Sequence, residues 1–258
     1  MKKYLSFAAF VLLTTAMTFS LSACGGDDDE DNNGGGSQEQ AEEPLTLAGK
    51  AAVAVDLGLP SGTLWADRNV GADKAEAYGY YFAWGETLAK TDYSWSTYKW
   101  GTAEDQLTKY CNKSEKGKDG YTDAKNPEIG KELTELLKED DAAYANWGGK
   151  WRMPTKAQIE ELIANTNKIW VENYNDTGVN GRKFTNKKDA SKYIFLPATG
   201  ERDGTSSKNA GVGGYYWSRS LNTEDLGKAD GLGFYMSYYV QSYGLNRGRG
   251  FTVRPVKP

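Results

Sequence analysis

Between residues 147 and 155 the chain reads Trp-Gly-Gly-Lys-Trp-Arg-Met-Pro-Thr, and few folds accommodate such a string. Two indole rings flank a Gly-Gly bend, Pro154 sets the chain direction, and Thr155 with Gln158 makes a Thr-x-x-Gln capping box. Behind the cap, Ile159, Leu162 and Ile163 recur at helical spacing and give the helix one apolar face. An aromatic face stacks well on a pyranose, so a sugar platform is one reading of Trp147 and Trp151. Large rings beside a glycine turn more often fill a core. The stretch is read as scaffold.

The opening has a different character. Met1-Lys-Lys is followed by an apolar run to Phe19 and then Leu21-Ser-Ala-Cys24, the pattern of a signal peptide over residues 1–23 and not of a membrane span. A small residue ahead of Cys24 makes this a lipobox, with Cys24 as the lipidated residue and acyl chains as the membrane anchor. Residues 24–48 then form a glycine- and aspartate-rich tether in which almost nothing can be buried. Its acids resemble the export tag that carries Bacteroidetes lipoproteins to the outer face of the outer membrane. The expected location is therefore the outer membrane, facing the cell exterior, with residues 49–258 as one folded domain.

Composition excludes several chemistries. The chain has no histidine, which removes Ser/His/Asp and Cys/His nucleophile systems and histidine-held zinc or iron. A formal net charge of −4 argues against nucleic acid as a partner. Beyond Cys24 the one cysteine is Cys111, so no intramolecular disulfide forms once Cys24 is acylated. The domain must rest on its core, for which 8 Trp, 17 Tyr and 8 Phe supply the material. Carboxylate pairs of the glycosidase kind remain open. Glu86, Glu160, Glu161, Glu201 and Asp203 are candidates by residue type, with no spacing that singles out a pair. No cofactor and no metal site is expected.

Along the domain, Val53–Leu57 and Thr63–Ala66 read as a hairpin around the turn Gly58–Gly62. Tyr80–Trp84 reads as an aromatic strand, and Lys113–Thr122 as a loop. Asn126-Pro127 starts a helix whose apolar face is Ile129, Leu133, Leu136 and Leu137, and Asp140-Asp141 caps a short helix over 142–146. Val179-Asn-Gly-Arg182 is the strongest hairpin signal. Tyr193–Pro197, Gly214–Ser220, Gly231–Val240 and Phe251–Val256 read as strands, and 201–211 as a polar loop. The fold class is α+β: two main helices among several short antiparallel strands and long loops.

Six of these segments together, Val55–Trp65, Tyr78–Glu86, Trp147–Thr155, Ile194–Pro197, Tyr216–Ser218 and Gly250–Val256, resemble the Fibrobacter succinogenes major paralogous domain, common in Bacteroidetes surface lipoproteins. The resemblance covers roughly residues 50–257, with the motifs in the family's order. That family is similar to C-type-lectin-like folds, which implies a looped domain presenting one variable face. It implies no general activity. The paired cysteines of formylglycine-generating enzymes are absent, and Arg219 in Tyr216-Trp-Ser-Arg219 stands where a calcium-dependent lectin carries acids.

The stretch from Gly233 to Gly250 contains Tyr235, Ser237, Tyr238, Tyr239, Ser242, Tyr243, Asn246, Arg247 and Arg249, with no acids and no lysines. Rigid aromatic area with small polar groups and glycine is the composition of an adaptable binding surface. Alternation along one strand would put Leu232, Phe234 and Val240 inward and Tyr235, Ser237 and Tyr239 outward. Tyrosines packed for stability are the competing reading. A Tyr/Ser/Asn-rich segment ahead of the closing strand also resembles the variable region of diversity-generating retroelement targets. The sequence thus points to a diversified adhesin or receptor. It would bind a protein or glycan through Arg219, Asn222, Tyr235, Ser237, Tyr238, Tyr239, Tyr243, Asn246, Arg247 and Arg249. The alternatives are a carboxylate-based polysaccharide hydrolase and a structural subunit of a surface assembly.

Overall fold

The computed structural model describes residues 45–111, 133–225, 227–236 and 239–258. Cys24 and the tether to residue 44, the loop and helix start expected at 113–129, and Ser237 and Tyr238 lie outside the described residues. The chain is mixed α+β and mostly sheet. Helix α1 (Leu47–Ala51) leads into strands β1 (Ala54–Asp56), β2 (Leu64–Ala66) and β3 (Tyr81–Phe82). Helices α2 (Ala142–Trp147) and α3 (Lys156–Asn165) precede β4 (Thr166–Val171), β5 (Gly181–Asn186) and β6 (Tyr193–Pro197). Then come β7 (Glu201–Asp203), β8 (Ser206–Lys208), β9 (Gly213–Leu221), β10 (Lys228–Tyr235), β11 (Tyr239–Asn246), β12 (Phe251–Thr252) and β13 (Val256–Lys257).

The central sheet has the order β11-β10-β9-β12-β3, with β9 and β12 parallel and its other neighbours antiparallel. Both faces are covered. Strand alternation sends adjacent residues to opposite sides, so Trp217 enters one core with Trp84, Trp147, Trp151 and Phe251. Its neighbour Tyr216 enters a second core with Leu232, Phe234, Ile159 and Leu162. Burying Ile159 and Leu162 stabilises the docking of α3 by roughly 3–6 kcal/mol in all. Two smaller sheets, β1-β2-β13 and β4-β5-β6, flank the centre.

The expected scaffold forms around the tryptophan turn. Thr155 Oγ1 accepts from Gln158 N at 3.1 Å and Gln158 Oε1 accepts from Thr155 N at 2.9 Å, which closes the capping box. Asp141 caps α2 by accepting from Tyr144 N and also accepts from Met153 N, tying the helix start to the chain beyond the turn. Helix α1, ahead of the expected domain start, docks here too. Trp151 Nε1 donates to Gly49 O at 3.1 Å, and a side chain at Gly49 would strike the Trp147 carbonyl.

Several local expectations are corrected. Residues 133–137 are extended: Leu136 N donates to Arg219 O and Leu221 N to Thr134 O, so pairing with β9 overrides the helical spacing of the leucines. Among the described residues only α3 is a helix of substantial length, and the three α-helices replace the expected two. The Asn180-Gly181 signal does not make a two-residue turn. Gly181 instead pairs with Val171 and Pro197 inside its sheet, where a Cβ would meet Leu196 O and the Phe195 ring, and the β4–β5 connection spans 172–180. The polar stretch 201–211 contains the β7–β8 hairpin. The single strand expected over 231–240 is a hairpin turn, with Tyr235 opposite Tyr239 and Phe234 opposite Val240.

Candidate functional site

The β9–β10–β11 register brings three tyrosines together. Tyr215 lies opposite Gly233 and Tyr243 opposite Gly231, so these side chains and that of Tyr235 share one face of the sheet. The Tyr243 ring lies over Gly233, where a Cβ would be 2.3 Å from its edge. Tyr215 is buried and meets the half-buried Tyr235 edge-on, with centroids 6.0 Å apart at 82°. Burial pushes the Tyr215 hydroxyl up, as do its hydrogen bond with Tyr235 and the nearby Tyr243, Tyr235 and Glu201. The face is that of the tryptophan-lined core, against whose rim Tyr235 and Tyr243 pack. Tyr235 is thus not the freely outward residue that simple alternation implied.

Beside the tyrosines, Arg249 Nη1 reaches Glu201 Oε2 at 2.9 Å and Nη2 reaches Asp203 at 3.5 Å. Lys208 Nζ pairs with Asp203 at 2.6 Å, and this hydrogen bond holds the Asp203 carboxyl below its ordinary range, helped by Arg249. The hairpin tip is fixed from below. Arg182 Nη2 donates to Tyr235 O at 3.0 Å and Met236 O at 2.8 Å, and its burial pushes the guanidinium pKa down.

The other expected contact residues are elsewhere. Asn222 donates to Asp230 at 3.0 Å and accepts from Glu224 N and Asp225 N, so it caps a turn. Asn246 lies opposite Lys228 and accepts from Gly248 N. Both sit at the far end of the β10–β11 hairpin from Tyr235, roughly 23 Å away at strand rise. Arg219 pairs with Glu135 at 3.0 Å. The backbone of Tyr239 is at the tip, opposite Tyr235.

Arg247 is a correction. It is fully buried, spreads over Trp84 at 4.8 Å, and donates to Tyr98 Oη, Tyr110 O and Lys109 O. Its guanidinium satisfies buried oxygens and presents nothing to a ligand. Sequence reasoning missed Tyr215 and Arg182 and knew Glu201 and Asp203 only as acids. The β7–β8 hairpin that carries both acids has no apolar alternation to announce it.

The remaining carboxylate candidates are engaged. Glu86 is buried and accepts from Lys90 Nζ and Lys99 N, Glu161 accepts from Ser61, and Glu160 lies on the rim of a polar hollow with Lys156 and Asp230. Among the described residues no cluster of three or more Cys, Asp or Glu could hold a metal ion, and no helix is long and apolar enough to cross a membrane. No family model, no curated protein and no solved structure matches this chain.

Proposed function

We propose that the protein is a lipid-anchored, surface-exposed binding protein with a C-type-lectin-like domain. It recognises a protein or glycan through the tyrosine patch of Tyr215, Tyr235 and Tyr243 with Arg249. One observation carries the reading: half-buried Tyr235 and Tyr243, on adjacent strands, share one sheet face with buried Tyr215, backed by a tryptophan core and bordered by an ion pair. Rings held this way lose little freedom on binding. A half-exposed arginine can exchange a carboxylate partner for a ligand group. The lipobox at Cys24 and the acidic tether support the surface location.

The test compares the wild-type chain with the triple variant Tyr235→Ala, Tyr243→Ala, Arg249→Ala on a glycan array and in pull-downs from host and neighbouring-cell extracts. Loss of a ligand that wild type retains, with a preserved cooperative unfolding transition, is the expected outcome. A variant that retains every wild-type ligand overturns the reading. Separately, Cys24→Ser should move the protein out of the membrane fraction.

A further inference from the structure

Among the described residues, the strands at the edges of their sheets are short or carry a group that discourages pairing, with a single exception. β3 and β13 are two residues long, β1 and β7 carry acids, β4 and β8 carry lysine, and β6 ends in Pro197. Brevity, charge and proline are devices that keep an open strand from templating another. Strand β11 has none of them. It closes one side of the central sheet, runs for 8 residues as Tyr-Val-Gln-Ser-Tyr-Gly-Leu-Asn, and pairs with β10 in unbroken register from Asn246 to Tyr239.

Two hydrogen bonds identify the open side. Arg247 N donates to Gly227 O, which makes these residues a bonded pair, and on the other side of β10 Met236 N donates to Val212 O. Antiparallel pairs alternate between bonded and non-bonded. The bonds to β10 therefore come from Leu245, Tyr243 and Gln241, while the N–H and C=O of Gly244, Ser242 and Val240 point away from the sheet. None of these outward groups has a partner among the described residues. The side chain at the centre of the row is unmet as well: Ser242 Oγ is buried and bonds to nothing among the described residues.

We propose that β11 pairs antiparallel with β11 of a second copy of this chain, about a two-fold axis at Ser242. A row of alternating backbone donors and acceptors is complementary to another extended strand, and a neutral strand meets its own copy without charge repulsion. In this register Ser242 faces Ser242 and Val240 faces Gly244, a branched side chain opposite none, so every outward group finds a counterpart. Shifting the axis toward Asn246 would bring in Asn246 O, which already accepts from Arg249 N. Shifting it toward the turn would carry Gly244 past the strand's start at Tyr239. The two Ser242 hydroxyls stand across the axis from one another, each opposite the partner it lacks. Two-fold pairing also closes, because it uses the edge of both copies and leaves none to propagate. The second copy adds to the tyrosine face, since its Gln241 comes opposite Tyr243.

Sedimentation of the full chain in detergent, with no ligand present, tests the pairing, and its outcome does not depend on whether the tyrosine face binds anything. A reversible monomer–dimer equilibrium is expected. Ser242→Pro removes the central outward donor from both copies and no bond to β10, at a position where an edge strand tolerates proline. It should raise the dimer Kd at least about tenfold. Where that variant loses its cooperative unfolding transition, Ser242→Cys decides, because it keeps the size of the side chain. Set opposite each other across a bonded pair, two such thiols should link the copies on mild oxidation, and wild type, with Cys111 buried, should not be linked. A chain that stays monomeric up to about 100 μM would overturn the proposal and leave the edge to a strand of another protein. So would a dimer unaffected by Ser242→Pro, or a Ser242→Cys chain that does not cross-link.

Discussion

The tryptophan turn and the tyrosine hairpin are built from the same materials, large rings and glycines, yet they end up buried to different depths. At the turn, Trp147 and Trp151 meet edge-on at 5.3 Å and are covered on every side, with α1 docked against them and Lys257 over Trp151 at 4.8 Å. At the hairpin, Tyr235 and Tyr243 have a core behind them and remain half-buried. Ring count does not separate a sealed core from a half-exposed face. What lies on the second face of each ring does.

That contrast breaks most visibly at Trp151. Trp151→Ala should cost about 3–5 kcal/mol in chemical denaturation, as full-cavity aromatic truncations do. A cost under 1 kcal/mol would put the turn in the same class as the hairpin. Next, Arg247→Met should cost about 2–3 kcal/mol, because Tyr110 O and Lys109 O would lose buried donors. A surface arginine would show almost none of this. Removing the cap with Thr155→Ala should cost about 1 kcal/mol. The smallest effect belongs to Arg249→Ala, about 1 kcal/mol, since the arginine end of its ion pair with Glu201 is 40% exposed. A large stability loss there would turn the proposed contact residue into scaffold.

Alkaline titration sharpens the same distinction. Burial raises Tyr98 and Tyr81 to about 12 and pushes Tyr110 and Tyr216 up as well. Their folded pKa values exceed the unfolded value near 10. The stability they contribute is therefore complete below pH ~10 and lost as pH rises through the folded values. Arg254 has the opposite sign: burial lowers it to about 10, so it favours folding as the solution becomes more basic. Four tyrosines outweigh one arginine. Unfolding followed by tyrosinate absorbance should begin above pH ~10 and be cooperative, whereas a tyrosine open to solvent would ionise earlier without unfolding.

Local signals in the sequence located the scaffold well. The capping box, the hairpin at 54–66 and the buried strand at 193–197 rest on interactions a few residues long or on an unbroken apolar run, and all form. Leu133, Leu136 and Leu137 misled because their spacing suits a helix while their backbone pairs with a strand about 85 residues later. Asn180-Gly181 misled because Gly181 is needed for close packing and not for a turn. At the candidate site, Tyr235, Tyr243 and Arg249 could be picked out by composition. Tyr215, Glu201 and Arg182 reach them only through sheet register, and Arg247 looked like its neighbour Arg249 until its partners across the core were known.

Strand β13 supplies the second partner of β2, and Arg254 donates to Ala66 O, Asn69 and Phe195 O, closing contacts across as many as 188 residues. A nascent chain emerging from the ribosome cannot make any of these bonds until almost its whole length has been synthesised. The early hairpin must wait, open and unfinished, for the last few residues.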